Sequence, residues 1–110
     1  EASSVESRKS SRFAVQLPSS FSEAQRATNG TILNISREGC MVIADQVPAP
    51  PTYIRLDMQL WEGQEPVRVE LAAVRWSSGT RFGLEYIKLM PEQRERLVSF
   101  MTMLERDALP

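Results

Sequence analysis

Apolar residues recur at every second position through most of this chain and switch to spacings of three and four only near its end. Ile54, Leu56, Met58 and Leu60 alternate with Arg55, Asp57 and Gln59, the pattern of a strand with one face in a core and the other in water. Glu62 to Pro66 turns that run round. Val67, Val69, Leu71 and Ala73 then alternate with Arg68, Glu70 and Ala72. A hairpin at Ser77-Ser78-Gly79-Thr80 leads into Phe82, Leu84 and Tyr86, which alternate with Gly83 and Glu85. Upstream, Phe13, Val15 and Leu17 mark a half-buried strand expected to stop at Pro18, with Phe21 continuing it after an irregularity. Asn29-Gly30 carries the signal of a two-residue hairpin turn, which puts the second strand at Thr31 to Ile35. Ser36 to Gly39 is a turn, its glycine giving positive φ or a close backbone approach. Cys40 to Ala44 is a third strand, buried on nearly both faces. Pro48-Ala49-Pro50-Pro51 makes a stiff connection.

The period changes at Pro91. Proline suits the first helical position and Glu92 the positive end of the helix dipole. Leu97, Phe100, Met101 and Leu104 then fall on one stripe, so a helix is predicted from about Pro91 to Arg106. Six short antiparallel strands followed by one helix are best closed into a barrel with the helix as a cap, because closure removes the sheet edges. The fold class is therefore all-β dominated, a six-stranded antiparallel β-barrel with a C-terminal α-helix. Residues 13–110 form that domain. Residues 1–12, with Val5 as the sizeable apolar group before Arg12, are expected to be a flexible arm.

Composition narrows the function. At 110 residues the chain fits one domain that buries roughly 60–70% of its unfolded surface. The net charge of −1 calls for neither nucleic acid nor an acidic membrane, so any anion site must be local. Only 7% of residues are aromatic, against the basic groove with exposed aromatics that single-strand binding needs. There is no histidine, which removes the usual general base near neutral pH, and no catalytic constellation appears. The single cysteine, Cys40, has no partner for an internal disulfide or a cysteine-based metal site. A reducing, cytoplasmic setting fits that usage. The longest apolar run, Cys40 to Ala44, is far too short to span a membrane.

Two clusters carry candidate chemistry. Arg8-Lys9-Ser10-Ser11-Arg12 places arginines at i and i+4, able to straddle a small dianion with bidentate contacts or to stack on and read a guanine. Asn34-Ile35-Ser36-Arg37-Glu38-Gly39 ends a strand with an amide, a hydroxyl and a glycine. The amide and hydroxyl can face one side, and the glycine leaves room for a ring or phosphate. Each cluster also has a plainer reading. The first is then a solvated basic tail, and the second an Asx or Ser turn satisfying its own backbone. Lys9 and Arg37 are secondary candidates that add charge, and Trp76 is either a pocket wall or an ordinary barrel residue.

The order R-x-x-x-R, strand and hairpin, then N-x-S-x-x-G opening a strand resembles the PilZ domain family. Twenty-one residues separate Arg12 from Asn34, and Val74-Arg75-Trp76 followed by Phe82-Gly83-Leu84-Glu85-Tyr86 looks like that family's closing hairpin. The resemblance runs from about Arg8 to Leu104. It implies a non-enzymatic receptor for the bacterial second messenger cyclic di-GMP, needing no cofactor and no metal. Arg8 and Arg12 would hold phosphates and guanine faces, while Asn34, Ser36 and Gly39 would meet a guanine from the barrel surface. Ser7 stands where many members carry a further arginine, which leaves the number of bound ligands open. The family also implies control of motility, exopolysaccharide output or attachment through a downstream protein or fused domain, with no nucleic acid and no membrane insertion. Ordering five residues, 8–12, costs roughly 5–10 kcal/mol in backbone entropy. Four charge-assisted hydrogen bonds return roughly 6–12 kcal/mol, so ligand is expected to order the arm. The alternative is an adaptor of the same fold that works by protein contact without nucleotide.

Overall fold

The alternating runs become six antiparallel strands: β1 (Phe13–Glu23), β2 (Arg26–Ile35), β3 (Gly39–Ile43), β4 (Thr52–Met58), β5 (Val67–Ser78) and β6 (Arg81–Lys88). One helix, α1 (Pro91–Asp107), follows. They are seen in a computed structural model that describes residues 11–108. The strands close into a barrel in the order β1-β2-β3-β6-β5-β4. Arg8 and Lys9 lie outside the described residues, as does most of the expected 1–12 arm.

The inward set is the one the alternation selects. Ile32, Ile35, Val42, Leu56, Met58, Val67, Val69 and Phe82 are fully buried, joined by Leu97 and Met101 from α1. Phe21 meets Phe82 edge-on at 5.1 Å. Trp61 meets Phe100 in the same way at 5.5 Å, which seats the helix. Pro91 opens that helix with Glu92 in the first turn, as helix-start chemistry requires. Among the described residues no helix is long and apolar enough to cross a membrane.

Two expectations about the first hairpin are corrected. β1 runs through Pro18 to Glu23 instead of stopping. A strand residue points its N–H and C=O the same way, and the Pro18 carbonyl accepts from the Gln59 N–H at 3.0 Å, on the β4 side. Pairing with β4 begins only at Ser19, so the missing proline N–H costs no ladder bond there. The turn falls not at Asn29-Gly30 but between Glu23 and Arg26, where Ala24 adopts φ 58°. Gly30 lies within β2 instead. A Cβ on it would stand 2.8 Å from Val42 Cγ1 and 3.1 Å from the Ile43 carbonyl oxygen, so close packing against β3 explains this glycine. The last hairpin is tighter than expected: Ser77 and Ser78 belong to β5, and Gly79 turns the chain at φ 61°.

Candidate functional site

Register, which sequence does not reveal, builds the site. Asn34 pairs with Met41, Met41 with Gly83, and Gly83 with Trp76. These four residues make one transverse row across β2, β3, β6 and β5. The neighbouring row of Ile35, Cys40, Leu84 and Val74 is buried, so the Asn34 row faces out. Gly83 leaves a gap in the row that the Trp76 indole occupies. A Cβ on Gly83 would fall 2.1 Å from Trp76 Nε1. The indole lies flat against the sheet yet stays 43% exposed.

A cleft of about 410 Å³ runs over this row, lined by Arg12, Glu38, Cys40, Leu84, Arg75 and Glu85 as well as the row itself. That is within the range of about 300–1,000 Å³ typical of small-molecule sites. Arg12 reaches it because Phe13, the next residue, pairs with Ile35. Its guanidinium donates to Asn34 Oδ1 at 2.7 Å, and Asn34 Nδ2 donates to Met41 Sδ at 3.9 Å. Arg12, expected to wait for ligand, is thus already seated on Asn34. The acceptor is a neutral amide, so the arginine's charge is not cancelled by this contact.

Ser36 and Gly39 shape the turn under the cleft. Ser36 is 2% exposed. Its hydroxyl donates to the Gly39 carbonyl and accepts from the Glu38 and Gly39 N–H groups, each at 3.2 Å. The Ser36 N–H also donates to the Gly39 carbonyl at 2.9 Å. One donor and two acceptor positions are the full capacity of a hydroxyl. The plainer reading of Ser36, a serine satisfying its own turn, therefore describes its place here. Gly39 is not at positive φ. It pairs with Glu85, and a Cβ there would stand 2.1 Å from the Leu84 carbonyl oxygen, so close strand approach demands the glycine. Arg37 leaves the cleft altogether: its guanidinium forks onto the Glu105 carboxylate in α1. That contact raises the arginine pKa and lowers the glutamate pKa.

Sequence reasoning missed Met41, Gly83, Arg75 and Glu85. Alternation marks Gly83 and Glu85 as outward facing, but only the register brings them beside Asn34. Arg75 sits at a register shift between Val74 and Trp76, so Arg75 and Trp76 both face solvent in succession. Its guanidinium meets Glu85 Oε1 at 2.6 Å. At the floor, Cys40 is fully buried, and burial pushes its thiol up to about 12, leaving it protonated and inert at neutral pH.

A family model described as PilZ domain matches residues 6–102. Among solved structures, the Bacillus subtilis inhibitor of motility (MotI/DgrA) superposes with a TM-score of 0.77 at 19% identity, covering 94% of this chain and 53% of that one. This chain therefore spans about half the length of that protein. The PilZ domain of CeSA from a cellulose-synthesizing bacterium gives a TM-score of 0.67 at 15% identity, over 86% of this chain and 98% of its own. No curated protein is similar enough in sequence to count as a relative.

Proposed function

The chain belongs to the PilZ domain family, and we propose that it is a non-enzymatic receptor for cyclic di-GMP that takes the nucleotide in the Arg12–Trp76 cleft. The observation that carries this reading is the Arg12–Asn34 contact at the cleft mouth. It presents a cationic fork, aimed but not neutralised, beside an exposed indole. A cyclic dinucleotide offers two phosphodiester charges and two purine faces. Arginine meets the phosphate with paired, charge-assisted hydrogen bonds, and a guanine can stack on the arginine plane or the indole. Arg8 would supply the second cation. Ser36 and Gly39 would act by fixing the turn that carries Glu38, and Asn34 would offer its amide to the base edge.

The output would be ordering of the residues before Arg12 onto this surface, making a new face for a downstream protein or an attached domain in the bacterial cytoplasm. Control of motility or exopolysaccharide output is the corresponding role. Calorimetric titration of cyclic di-GMP into wild type and Arg12→Ala tests the reading. Wild type should bind, and the variant should lose at least about tenfold, since tenfold is only about 1.4 kcal/mol and each charge-assisted bond contributes about 1.5–3 kcal/mol. Equal heats would refute a role for Arg12.

One arrangement favours a second reading, an adaptor that acts by protein contact without nucleotide. The Ser36 hydroxyl is fully engaged within its turn, and the described lining sets Glu38 and Glu85 against Arg12 and Arg75. A wild-type domain silent to the nucleotide would select it.

A further inference from the structure

Arg75 lies outside both motifs, yet it lines the same cleft as Arg12. Arg75 faces out as the residue after inward Val74, and the register shift between Val74 and Trp76 brings the indole to the same outward side. With regular alternation, the residue after inward Val74 and the one after that would face opposite ways. Here Arg75 and Trp76 are both exposed, so cation and indole stand side by side on β5. Glu85 follows Gly83 by two on β6 and shares its outward face. Its Oε1 receives the Arg75 guanidinium through Nε at 2.7 Å and Nη2 at 2.6 Å.

We propose that Arg75 is a further anion-contacting residue of the cleft, with Glu85 as the carboxylate that aims it and competes with ligand for it. This rests on the cleft being the nucleotide site. Three features support it. The side chains of Arg75 and Glu85 are 55% and 48% exposed, so their pair is weak and screened, and a phosphate can displace or share it. Both Arg75 contacts go to one carboxylate oxygen, which leaves Nη1 free of any hydrogen bond among the described residues. Finally, Glu85 forms an ion pair with Arg75 in the lining, whereas among the described residues Arg12 makes its side-chain hydrogen bond to the Asn34 amide and pairs with no carboxylate. The two arginines therefore differ in kind. Arg12 is held by a neutral amide at full charge, and Arg75 is held by an anion at reduced effective charge.

The two members of the pair should consequently act in opposite directions. Cyclic di-GMP is titrated by calorimetry into the full chain as wild type, Arg75→Ala, Glu85→Gln and the double variant, at low and high salt, with Arg12→Ala as the control. Arg75→Ala should weaken binding by roughly tenfold, the loss of one charged contact, and should reduce the salt dependence. Glu85→Gln keeps an acceptor for Arg75 but removes the opposing charge, so it should tighten binding by about threefold. The double variant should match Arg75→Ala. Thermal unfolding of each variant, taken in parallel, reports any loss of the β5–β6 pairing. If wild type binds and Arg12→Ala does not, but Arg75→Ala binds like wild type, the Arg75 assignment is overturned and the nucleotide reading stands. The assignment also fails if Arg75→Ala and Glu85→Gln both weaken binding in step with lost thermal stability. A wild type that gives no heat removes both.

Discussion

Replacing Ser36 with alanine separates a residue that builds the site from one that touches ligand. The hydroxyl makes three contacts of 3.2 Å inside a turn where it is 2% exposed. Removing it strands the Glu38 and Gly39 N–H groups, while the Gly39 carbonyl keeps the Ser36 N–H at 2.9 Å. A buried donor left without a partner costs about 1–3 kcal/mol. The three bonds are long, which argues for the lower half of that range, and Glu38 is partly exposed to water. The loss should therefore be about 2–4 kcal/mol in total. For a domain of this size, about 4 °C per kcal/mol makes that a fall in Tm of roughly 8–16 °C. Thermal unfolding followed by circular dichroism measures it. Ser36→Thr, which retains the hydroxyl, should recover part of the loss. Well below the lowered Tm, Ser36→Ala should still bind cyclic di-GMP within a fewfold of wild type, whereas Asn34→Ala should not. An unchanged Tm would refute the account of Ser36, and so would a stable Ser36→Ala domain that has lost binding completely.

Other perturbations have equally definite expectations. Gly83→Ala puts a Cβ where Trp76 Nε1 now lies; because the indole is exposed it should swing into solvent, seen as a red shift of Trp76 emission in a Trp61→Phe background. Gly39→Ala meets a backbone oxygen, which cannot swing away, so it should give little folded protein by expression and circular dichroism. Ala24→Gly relieves a left-handed residue worth about 1–2 kcal/mol of strain against about 0.5–1 kcal/mol of glycine entropy, and chemical denaturation should show a gain of about 0.5–1 kcal/mol. Arg37→Ala should leave cyclic di-GMP affinity within about twofold, since Arg37 serves Glu105 and not the cleft; a tenfold loss, about 1.4 kcal/mol, would contradict this. Burial raises Cys40 to about 12 and Tyr86 well above its usual value. The folded state therefore binds more protons than the unfolded state above pH of about 9. The stability these groups contribute is intact below that pH and should decline between about 9 and 12, as a pH series of denaturation midpoints would show.

What could be read from sequence was whatever depends on local period. The alternations at Ile54–Leu60 and Val67–Ala73 and the stripe at Leu97–Leu104 define strands and helix without reference to anything distant, and closure into a barrel follows from having six strands and no protected edge. The first hairpin was misplaced because Glu23-Ala24-Gln25-Arg26 has no turn residue, whereas Asn29-Gly30 has two. The strand continues there because Asn29 and Gly30 pair with Ser20 and Ser19 of β1, and Gly30 answers to Val42 across the sheet. The site divides in the same way. Arg12 and Asn34 were visible as chemistry at a recognisable spacing. Gly39 and Ser36 were visible as residue types, but their partners, the Leu84 carbonyl and the turn's own N–H groups, belong to tertiary structure. Met41, Gly83 and Glu85 stayed hidden because only the register between strands brings them beside Asn34, and the neighbouring exposure of Arg75 and Trp76 because it depends on a register shift in β5 that no local pattern encodes.

The central claim is that a cyclic dinucleotide seats on the row from Asn34 to Trp76 with Arg12 across it. Amide and indole chemical shifts of the labelled domain, followed while cyclic di-GMP is added, test this most directly. The account requires saturable shifts at Arg12, Asn34, Glu38 to Met41, Gly83 and the Trp76 indole N–H, with the Trp61 indole on the far packing of α1 unmoved. Spectra that stay unchanged at millimolar nucleotide, or that move only away from this row, would contradict it.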